Sequence, residues 1–233
     1  MSTRVLPPES PPTDTPPLEP GDHLTREEFE KRYDATPGIK KAELIEGIVY
    51  MSPPVRWDSH GGPQFELIGW FTHYSWATPG VRGGDNSTLR LDLSNEPQPD
   101  TTLFIDPALG GSARIIDGFI EDSPELVAEV SSSTKGFDLN TKLRVYQRNK
   151  IREYIVWRVQ ERAIDWFELR GDKYSRVNPD AEGILKSVVF PGLWLLPSAL
   201  IDTAHNRILE VLSRGLASPE HAAFVAKLKS HKS

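Results

Sequence analysis

The sequence predicts an α/β fold, of mixed α+β type, in which a central mixed β-sheet is flanked by helices. Short runs with period-two alternation, such as residues 88–93, predict half-buried strands. Segments with helical periodicity, such as residues 60–76, lie between these runs. Residues 126–159 combine both patterns as a strand, a helix and a second strand, and this alternation of element types predicts the fold class.

Length and composition favour a soluble globular protein with one domain and appendages. The chain has 233 residues, of which 38% are hydrophobic and 26% are charged, and this is enough for a sizeable core. It has no cysteine, which excludes disulfides, thiolate zinc sites and cysteine nucleophiles. The net charge of −6 argues against a general nucleic-acid coat protein, although a local basic patch could still bind phosphates.

The termini define the expected domain limits. Residues 1–22 are rich in proline and predict a disordered or polyproline II tail, and they lack the apolar region of a signal peptide. No apolar run approaches the roughly 20 residues of a membrane span, so we expect a cytoplasmic protein without membrane association. Residues 23–200 are expected to form the main domain, and residues 201–233 a C-terminal helical extension.

The first half of the domain predicts helices and short strands. A capping box formed by Thr25 and Glu28 predicts a short helix over residues 25–33. Gly47 divides the next apolar segment and precedes a strand at residues 48–51. The further elements expected before residue 124 are a helix at 60–76, strands at 88–93 and 101–105, and a surface loop at 107–123.

The second half opens with the strand–helix–strand unit. Its strands are expected at residues 126–130 and 154–159, with the helix at residues 139–149 between them. Arg-Gly-Asp at residues 170–172 predicts a hairpin turn. The remaining elements expected are hairpin strands at 163–169 and 173–177, a strand at 184–190, and helices at 199–212 and 219–229.

A carboxylate inside an apolar strand is the feature that points to function. Glu129 interrupts the run of residues 126–130, and a buried charge is unfavourable unless it is paired or binds a metal. Asp100 lies where Pro99 leads into a neighbouring strand. Two carboxylates at the same level of adjacent strands, with the Val130 carbonyl, would form a hard-oxygen site suited to Mg²⁺. Such a metal activates water and offsets charge that develops on a phosphate.

Lys142 is the candidate cation beside this site. On the predicted helix, Leu139, Leu143 and Tyr146 define the apolar face, and Lys142 lies roughly 60° from it. Its ammonium would line the inner rim and could stabilise the charge on the phosphate or position the attacking water. Asp138 is expected to N-cap this helix.

Each candidate also has a structural interpretation that the sequence leaves open. Asp100 could be a turn residue after proline, and Glu129 could pair with a core arginine. Glu43 could be an exposed carboxylate, with Glu46 as an alternative for the same role. Lys142 could pair with a carboxylate one turn earlier on its helix.

These motifs together resemble the PD-(D/E)XK nuclease superfamily and, more narrowly, its Uma-type family of restriction-endonuclease-like proteins. The resemblance covers roughly residues 24–200. The matching features, in chain order, are ELIEGIVYMSPP from Glu43, His60, the Pro-Asp pair at Asp100, EVSS from Glu129, the D…K…Y helix and EYIVW.

The resemblance implies a restriction-endonuclease-like fold, Mg²⁺ or Mn²⁺ as cofactor, nucleic acid (specifically DNA) as substrate, and a homodimer. Carried over by position, Glu43, Asp100 and Glu129 are its acidic residues and Lys142 is its catalytic lysine. A strict motif would place the lysine at position 131, where this chain has Ser131. The resemblance therefore implies that the lysine has moved to the following helix.

Other polar residues near the motifs are further candidates. His60 is expected to be either a structural polar residue or a group that supports the metal ligands. Lys135, Arg144 and Arg148 belong to a basic run that is often a solvated face, but in a nuclease would contact phosphates. The apolar hairpin at residues 163–177 is the candidate homodimer surface.

The predicted activity is phosphodiester hydrolysis by a metal-dependent endonuclease. Two alternatives stay open: a catalytically silent binding or regulatory module with the same fold, and a hydrolase of a small phosphoester. Metal-dependent cleavage of nucleic acid separates the first alternative from the nuclease. A wide basic cleft favours nucleic acid, and a closed pocket favours the small substrate.

Overall fold

The computed structural model describes residues 15–132 and 136–231. The described residues form helices α1 Arg26–Ala35, α2 Gly62–Ala77, α3 Leu143–Arg148, α4 Pro197–Ile201, α5 His205–Leu216 and α6 Pro219–Ser230. Strands β1 to β7 are Ala42–Ile45, Ile48–Met51, Val81–Asp85, Leu89–Arg90, Thr101–Ile105, Arg114–Ile116 and Phe119–Glu121. Strands β8 to β13 are Leu126–Ser131, Glu153–Arg158, Ala163–Arg170, Lys173–Arg176, Leu185–Lys186 and Trp194–Leu195. Two π-helical turns, Trp57–Gly61 and Phe137–Lys142, lead directly into α2 and α3.

Within the described residues the central sheet has six strands in the order β11-β10-β9-β8-β5-β3. Strands β8 and β9 pair in parallel, because the helical segment that connects them returns the chain to the same end of the sheet. The other neighbouring pairs in this sheet are antiparallel. The predicted mixed sheet is thus confirmed, and its parallel pair is the strand–helix–strand unit.

Both faces of the central sheet are buried, and β8 shows how one strand serves two cores. Leu126, Ala128 and Val130 pack into the cluster covered by α2, α4, α5 and α6. Val127 projects to the opposite cluster, which includes Tyr146 of α3. Because side chains alternate along a strand, Glu129 projects to the same face as Val127. The face that receives this carboxylate is therefore the one covered by α3.

The N-terminal elements form a separate layer against the β1–β2 hairpin. The side chain of Thr25 accepts a hydrogen bond from the Glu28 backbone N–H at 3.3 Å, which confirms the predicted helix cap. Phe29 of α1 packs with Leu44 and Val49 of the hairpin.

Folded structure begins and ends beyond the expected domain limits. Leu18 is buried against the β1–β2 hairpin, so packing starts inside the predicted tail. The rest of that predicted tail, residues 1–14, lies outside the described residues. At the other end, Ile208, Leu212 and Leu228 of α5 and α6 belong to the main core. The C-terminal helices therefore pack into the main core, where their apolar faces bury one side of the sheet.

Several elements are shorter than the sequence predicts. The strand expected at 88–93 pairs only at Leu89–Arg90, and the one expected at 184–190 only at Leu185–Lys186. The predicted loop at 107–123 contains β6 and β7, which pair as a small hairpin. The helix expected at 199–212 is divided into α4 and α5.

The hairpin predicted as a dimer surface keeps its large apolar side chains inside the chain. Trp166 is 1% exposed and Phe167 is 8% exposed, because they pack into the cores on the two sides of the sheet. They are therefore not available to a second copy. Within the described residues, no helix is both long enough and apolar enough to span a membrane.

The shortened strand near residue 187 is explained by a buried carboxylate. Glu153 of β9 is fully buried and accepts hydrogen bonds from the Ser187 hydroxyl at 2.7 Å and from the backbone N–H groups of Val188 and Val189 at 2.8 and 3.2 Å. The carboxylate thus pairs backbone N–H groups of this turn that a neighbouring strand would otherwise have to pair. Burial raises the pKa of Glu153 to about 7, against the opposing effect of these donors.

We expect Glu153→Gln to change the pH dependence of stability. Since the pKa of Glu153 is about 7 in the folded chain and 4.5 in the reference state, the folded state binds this proton more tightly. The free energy of unfolding should therefore fall between about pH 4.5 and pH 7, by up to about 3 kcal/mol from this group. Glutamine keeps an acceptor oxygen for the Val188 and Val189 N–H groups, and its amide nitrogen can donate to the Ser187 hydroxyl oxygen. It does not titrate, so this fall should be absent in the variant.

Urea unfolding across this pH range measures the effect. Glu220→Gln, at an exposed carboxylate, is the control and should run parallel to the wild type. If the free energy of unfolding has the same pH dependence in wild type and Glu153→Gln, Glu153 does not have a raised pKa in the folded chain.

Candidate active site

Asp100 and Glu129 lie side by side on neighbouring strands. Strands β5 and β8 pair with Thr101 opposite Ala128, and continuing this antiparallel register by one residue places Asp100 opposite Glu129. Both carboxylates are buried, at 1% and 4% exposure. The Val130 backbone N–H donates to Asp100 Oδ2 at 2.7 Å, which fixes the aspartate at the end of its strand. The structure therefore brings together the two carboxylates that the sequence singled out.

The Val130 carbonyl projects toward the same site. On the β9 side, the carbonyls of Glu125 and Ser131 accept from Glu153 and Val159. Carbonyl directions alternate along a strand, so the Val130 carbonyl points to the β5 side, where Asp100 lies. Two carboxylates and one carbonyl thus share one edge of the sheet.

Lys142 is buried between two carboxylates. Its Nζ lies 2.9 Å from Glu43 Oε1 and 2.8 Å from Glu129 Oε1, and the residue is only 4% exposed. The sequence placed this ammonium on the rim of an α-helix that begins at residue 139. A π-helical turn over Phe137–Lys142 instead sets the direction of the side chain, since it has more residues per turn than the α-helix assumed from the sequence.

The predicted N-cap role of Asp138 is wrong. The turn begins at Phe137, its N-cap is Gly136, and Asp138 is buried within it. The Asp138 charge raises the pKa of Lys142. Its effect is smaller than that of burial, which lowers this pKa, and than those of Glu129 and Glu43, which raise it. This carboxylate therefore joins the buried charge cluster.

Glu43 of β1 is the hairpin carboxylate that reaches the site. Its Oε1 accepts the Gln98 backbone N–H at 2.7 Å in addition to Lys142. Glu46, the alternative, is exposed in the turn and pairs with Arg148 at 3.3 Å. The alternation of side chains along β1 explains the difference, because residue 43 faces inward and residue 46 lies beyond the end of the strand.

Tyr146 contacts the candidate site, although the sequence analysis treated it as apolar. Its hydroxyl donates to Glu129 Oε1 at 2.8 Å. The spacing of four residues from Lys142 was the available signal, because residues i and i+4 share a helix face. Lysine and tyrosine together fix one oxygen of Glu129.

Asp100 has its own set of partners on the more open side of the site. His60 Nε2 lies 3.1 Å from Asp100 Oδ1, and Lys41 Nζ lies 3.4 Å from the same oxygen. Gln64 of α2 donates to the Asp100 carbonyl at 3.1 Å. Lys41 and Gln64 were not identified from the sequence, since neither interrupts an apolar pattern.

The pKa directions follow from an excess of buried carboxylates. Burial raises the pKa of Glu129 to about 8, against the charge of Lys142. Burial alone would lower the pKa of Lys142, but Glu129 and Glu43 hold it well above its usual value. The neighbouring carboxylate charges act in the same direction on both groups, because negative charge in a low-dielectric space favours a bound proton. Lys142 is therefore charged.

Asp100 behaves differently from Glu129. Burial would raise its pKa, but the hydrogen bond with His60 and the charge of Lys41 lower it. Burial opposes protonation of His60, but the bond to Asp100 raises the pKa of this histidine. Asp100 and His60 therefore shift each other's pKa in the directions that favour their charged forms.

Two of the basic residues predicted to contact nucleic acid lie on the outer side of α3. Arg144 and Arg148 are exposed on α3, whereas Lys142 and Tyr146 occupy the buried side of the same helical segment. Lys135 lies outside the described residues.

The donor set fits a divalent cation. Asp100, Glu129 and the Val130 carbonyl offer oxygen ligands, the type that Mg²⁺ and Mn²⁺ prefer. Within residues 15–132 and 136–231, no cluster of three or more His, Asp or Glu side chains is arranged for a metal, so the predicted set depends on the backbone carbonyl. Uncompensated carboxylate charge is what a cation would neutralise.

Comparison with known proteins identifies the family. The model of the Uma2 family, described as "Putative restriction endonuclease", matches residues 26–199, which is three quarters of the chain. The chain belongs to the Uma2 family. Its fold is similar to that of a crystal structure described as a putative nuclease belonging to DUF820 from Anabaena variabilis, with a TM-score of 0.54 and 15% sequence identity. That match covers 76% of this chain and 99% of the other, and no curated protein matches.

The matched range contains the candidate site residues. Glu43, Asp100, Glu129 and Lys142 all lie within the matched range, and so does the hairpin that carries Glu43. The resemblance found from motifs and the restriction-endonuclease-like fold are both confirmed.

We expect Lys142→Met to be strongly destabilising. Methionine fills a similar volume but leaves Glu43 and Glu129 buried without their cation, which costs about 3–5 kcal/mol. Urea denaturation gives the free energy of unfolding. Lys150→Met removes an exposed pair with Asp172, which water screens, and should change the free energy of unfolding little. A loss as small as that control would show that Lys142 does not hold the cluster together.

Proposed function

We propose that this Uma2 protein is a divalent-metal-dependent endonuclease that hydrolyses phosphodiester bonds of nucleic acid, with DNA as substrate. The observation that carries the proposal is the cross-strand pair Asp100 and Glu129 beside the Val130 carbonyl. Family membership supports the nuclease class. The geometry supports the metal, because these oxygens converge at one sheet edge with a charge excess.

The proposed roles of the residues follow from their contacts. Asp100, Glu129 and the Val130 carbonyl would hold Mg²⁺ or Mn²⁺, which when bound activates water and offsets charge on the phosphate. Lys142 and Tyr146 hold Glu129 in one orientation through bonds to its Oε1. The Lys142 ammonium would also support the attacking water from the buried side of the site.

Glu43 and His60 complete the proposed machinery without contacting the metal. Glu43 anchors Lys142 and is itself fixed by the Gln98 backbone N–H. His60 orients Asp100 through its Oδ1. Orientation of this kind matters because metal ligands that lose their supporting hydrogen bonds lose affinity, typically 10- to 100-fold.

Two other readings make different predictions for the same site. A binding or regulatory module would bind nucleic acid without turnover, and the net charge of −6 favours this reading. A hydrolase of a small phosphoester would act on a minimal substrate. The two readings differ from the nuclease in what is cleaved, not in which carboxylates bind metal.

Plasmid cleavage tests the proposed activity. Supercoiled plasmid and single-stranded DNA are incubated with Mg²⁺, Mn²⁺ or chelator, using wild type, Asp100→Asn, Glu129→Gln and Lys142→Ala. We expect metal-dependent nicking by the wild type and a loss of about 100-fold or more in each variant. Glu46→Gln, at the exposed hairpin carboxylate, is the control and should cleave as the wild type does.

The possible outcomes separate the readings. Loss in the carboxylate variants with activity kept in Lys142→Ala would remove the lysine from the mechanism and leave the nuclease. Metal binding that Glu129→Gln weakens, without cleavage of DNA or RNA, would support the non-catalytic module. Hydrolysis of bis(p-nitrophenyl) phosphate alone would support the small phosphoester.

A homodimer is part of the proposal, on the strength of the resemblance alone. Sedimentation velocity at micromolar concentration measures it directly. We expect a species of twice the 26.1 kDa chain mass. A single monomeric boundary up to about 100 μM would reject the dimer, since a specific interface of standard size is usually stable well below that concentration.

A further inference from the structure

We propose that Lys41 is the side chain that contacts the substrate phosphate in this site. The inference rests on the proposed nuclease function and assigns a role to a residue outside the acidic and lysine motif. It assigns different roles to two lysines: Lys142 binds the buried carboxylates, and Lys41 contacts the nucleic acid.

Burial and bonding separate the two lysines. Lys142 is 4% exposed and its ammonium is held by Glu43 and Glu129 at 2.9 and 2.8 Å. A phosphate could approach it only by displacing a buried carboxylate, which would leave that charge unpaired. The Lys41 side chain is 22% exposed, so its ammonium can reach a solvent-borne anion while still touching the site.

The position of Lys41 is fixed by two acceptors. Its Nζ donates to Asn86 Oδ1 at 3.0 Å and lies 3.4 Å from Asp100 Oδ1. These bonds direct the ammonium to the open side of Asp100, where His60 also lies. An ammonium has three protons, so two acceptors leave donor capacity for a phosphate oxygen.

The strand explains why residue 41 reaches the site. Lys41 precedes β1 and lies two residues before Glu43, so both side chains leave the same face of the chain. The Glu43 side chain bonds to Lys142 on the buried side of the site, and the Lys41 side chain contacts Asp100 on the open side. Lys40 is exposed on the opposite face and supplies a matched control of equal charge.

Nucleic-acid binding in chelator tests the inference without cleavage. A fluorescein-labelled single-stranded and a duplex oligonucleotide are titrated with wild type, Lys41→Met, Lys41→Arg and Lys40→Met at several salt concentrations. We expect Lys41→Met to weaken binding roughly three- to tenfold and to reduce the slope of log K against log salt by about 0.7–0.9. Lys41→Arg should keep most of the affinity and slope, and Lys40→Met should change both little.

Cleavage and folding measurements complete the test. In Lys41→Met plasmid cleavage should fall even at saturating Mn²⁺, a condition that is needed because Lys41 also contacts the proposed metal ligand Asp100. The thermal midpoint shows whether the variant is folded. If Lys41→Met does not fold, Lys41→Gln, which can still bond to Asp100, replaces it in every assay. Wild-type affinity and slope in the folded variant, or a loss equal to that of Lys40→Met, would overturn the inference.

The binding assay separates this inference from the proposed function. A wild type that binds nucleic acid but does not cleave it would end the nuclease proposal, and the Lys41 comparison in chelator would still decide the phosphate contact. A wild type that cleaves, with Lys41→Met binding unchanged, would end the Lys41 inference alone. A wild type that neither binds nor cleaves would reject both.

Discussion

The buried ammonium of Lys142 connects three parts of the chain that are far apart in sequence. It bonds to Glu43 on the N-terminal hairpin and Glu129 in the central sheet, and it lies on the π-helical turn that follows that sheet strand. None of these charges could be buried alone without a large desolvation penalty, so each requires the others. The hairpin, the sheet and α3 are therefore held in one arrangement by a single charged group, and that arrangement forms the site.

The cluster carries more negative charge than its lysine can neutralise. Burial raises the pKa of Glu129 to about 8, and the charges of Glu129 and Glu43 hold the pKa of Lys142 well above its usual value. A divalent cation at Asp100 and Glu129 would neutralise this excess of negative charge. The same imbalance makes the site a functional candidate, because strongly shifted ionisable groups concentrate where binding or catalysis occurs.

The site has a buried side, which contains Lys142, and an open side, which contains Lys41, so the two lysines have different environments. Lys142, Tyr146 and Glu43 form the buried side, where Lys142 bonds to Glu43 and Glu129 and Tyr146 also bonds to Glu129. Asp100 faces the open side, where Lys41 and His60 are partly exposed. Rigid ligands and an accessible cation are both needed if a metal is to be held in place while a large polyanion enters and leaves.

The sequence by itself determined the fold class and the four residues of the charge cluster's core. Glu129 could be identified because a carboxylate in an apolar strand violates a strong local pattern, and Asp100, Glu43 and Lys142 followed from the motif order. Local pattern could not reveal Lys41, whose role depends on a contact across 59 residues. The spacing of Tyr146 from Lys142 placed it on the same helix face, but its bond to Glu129 across 17 residues depends on the fold. Local pattern also could not predict that Lys142 is buried. A π-helical turn and an α-helix have almost the same sequence signature, but they direct side chains differently. The tertiary structure decided which charges share a buried space, since that depends on strand register and packing rather than on any single segment.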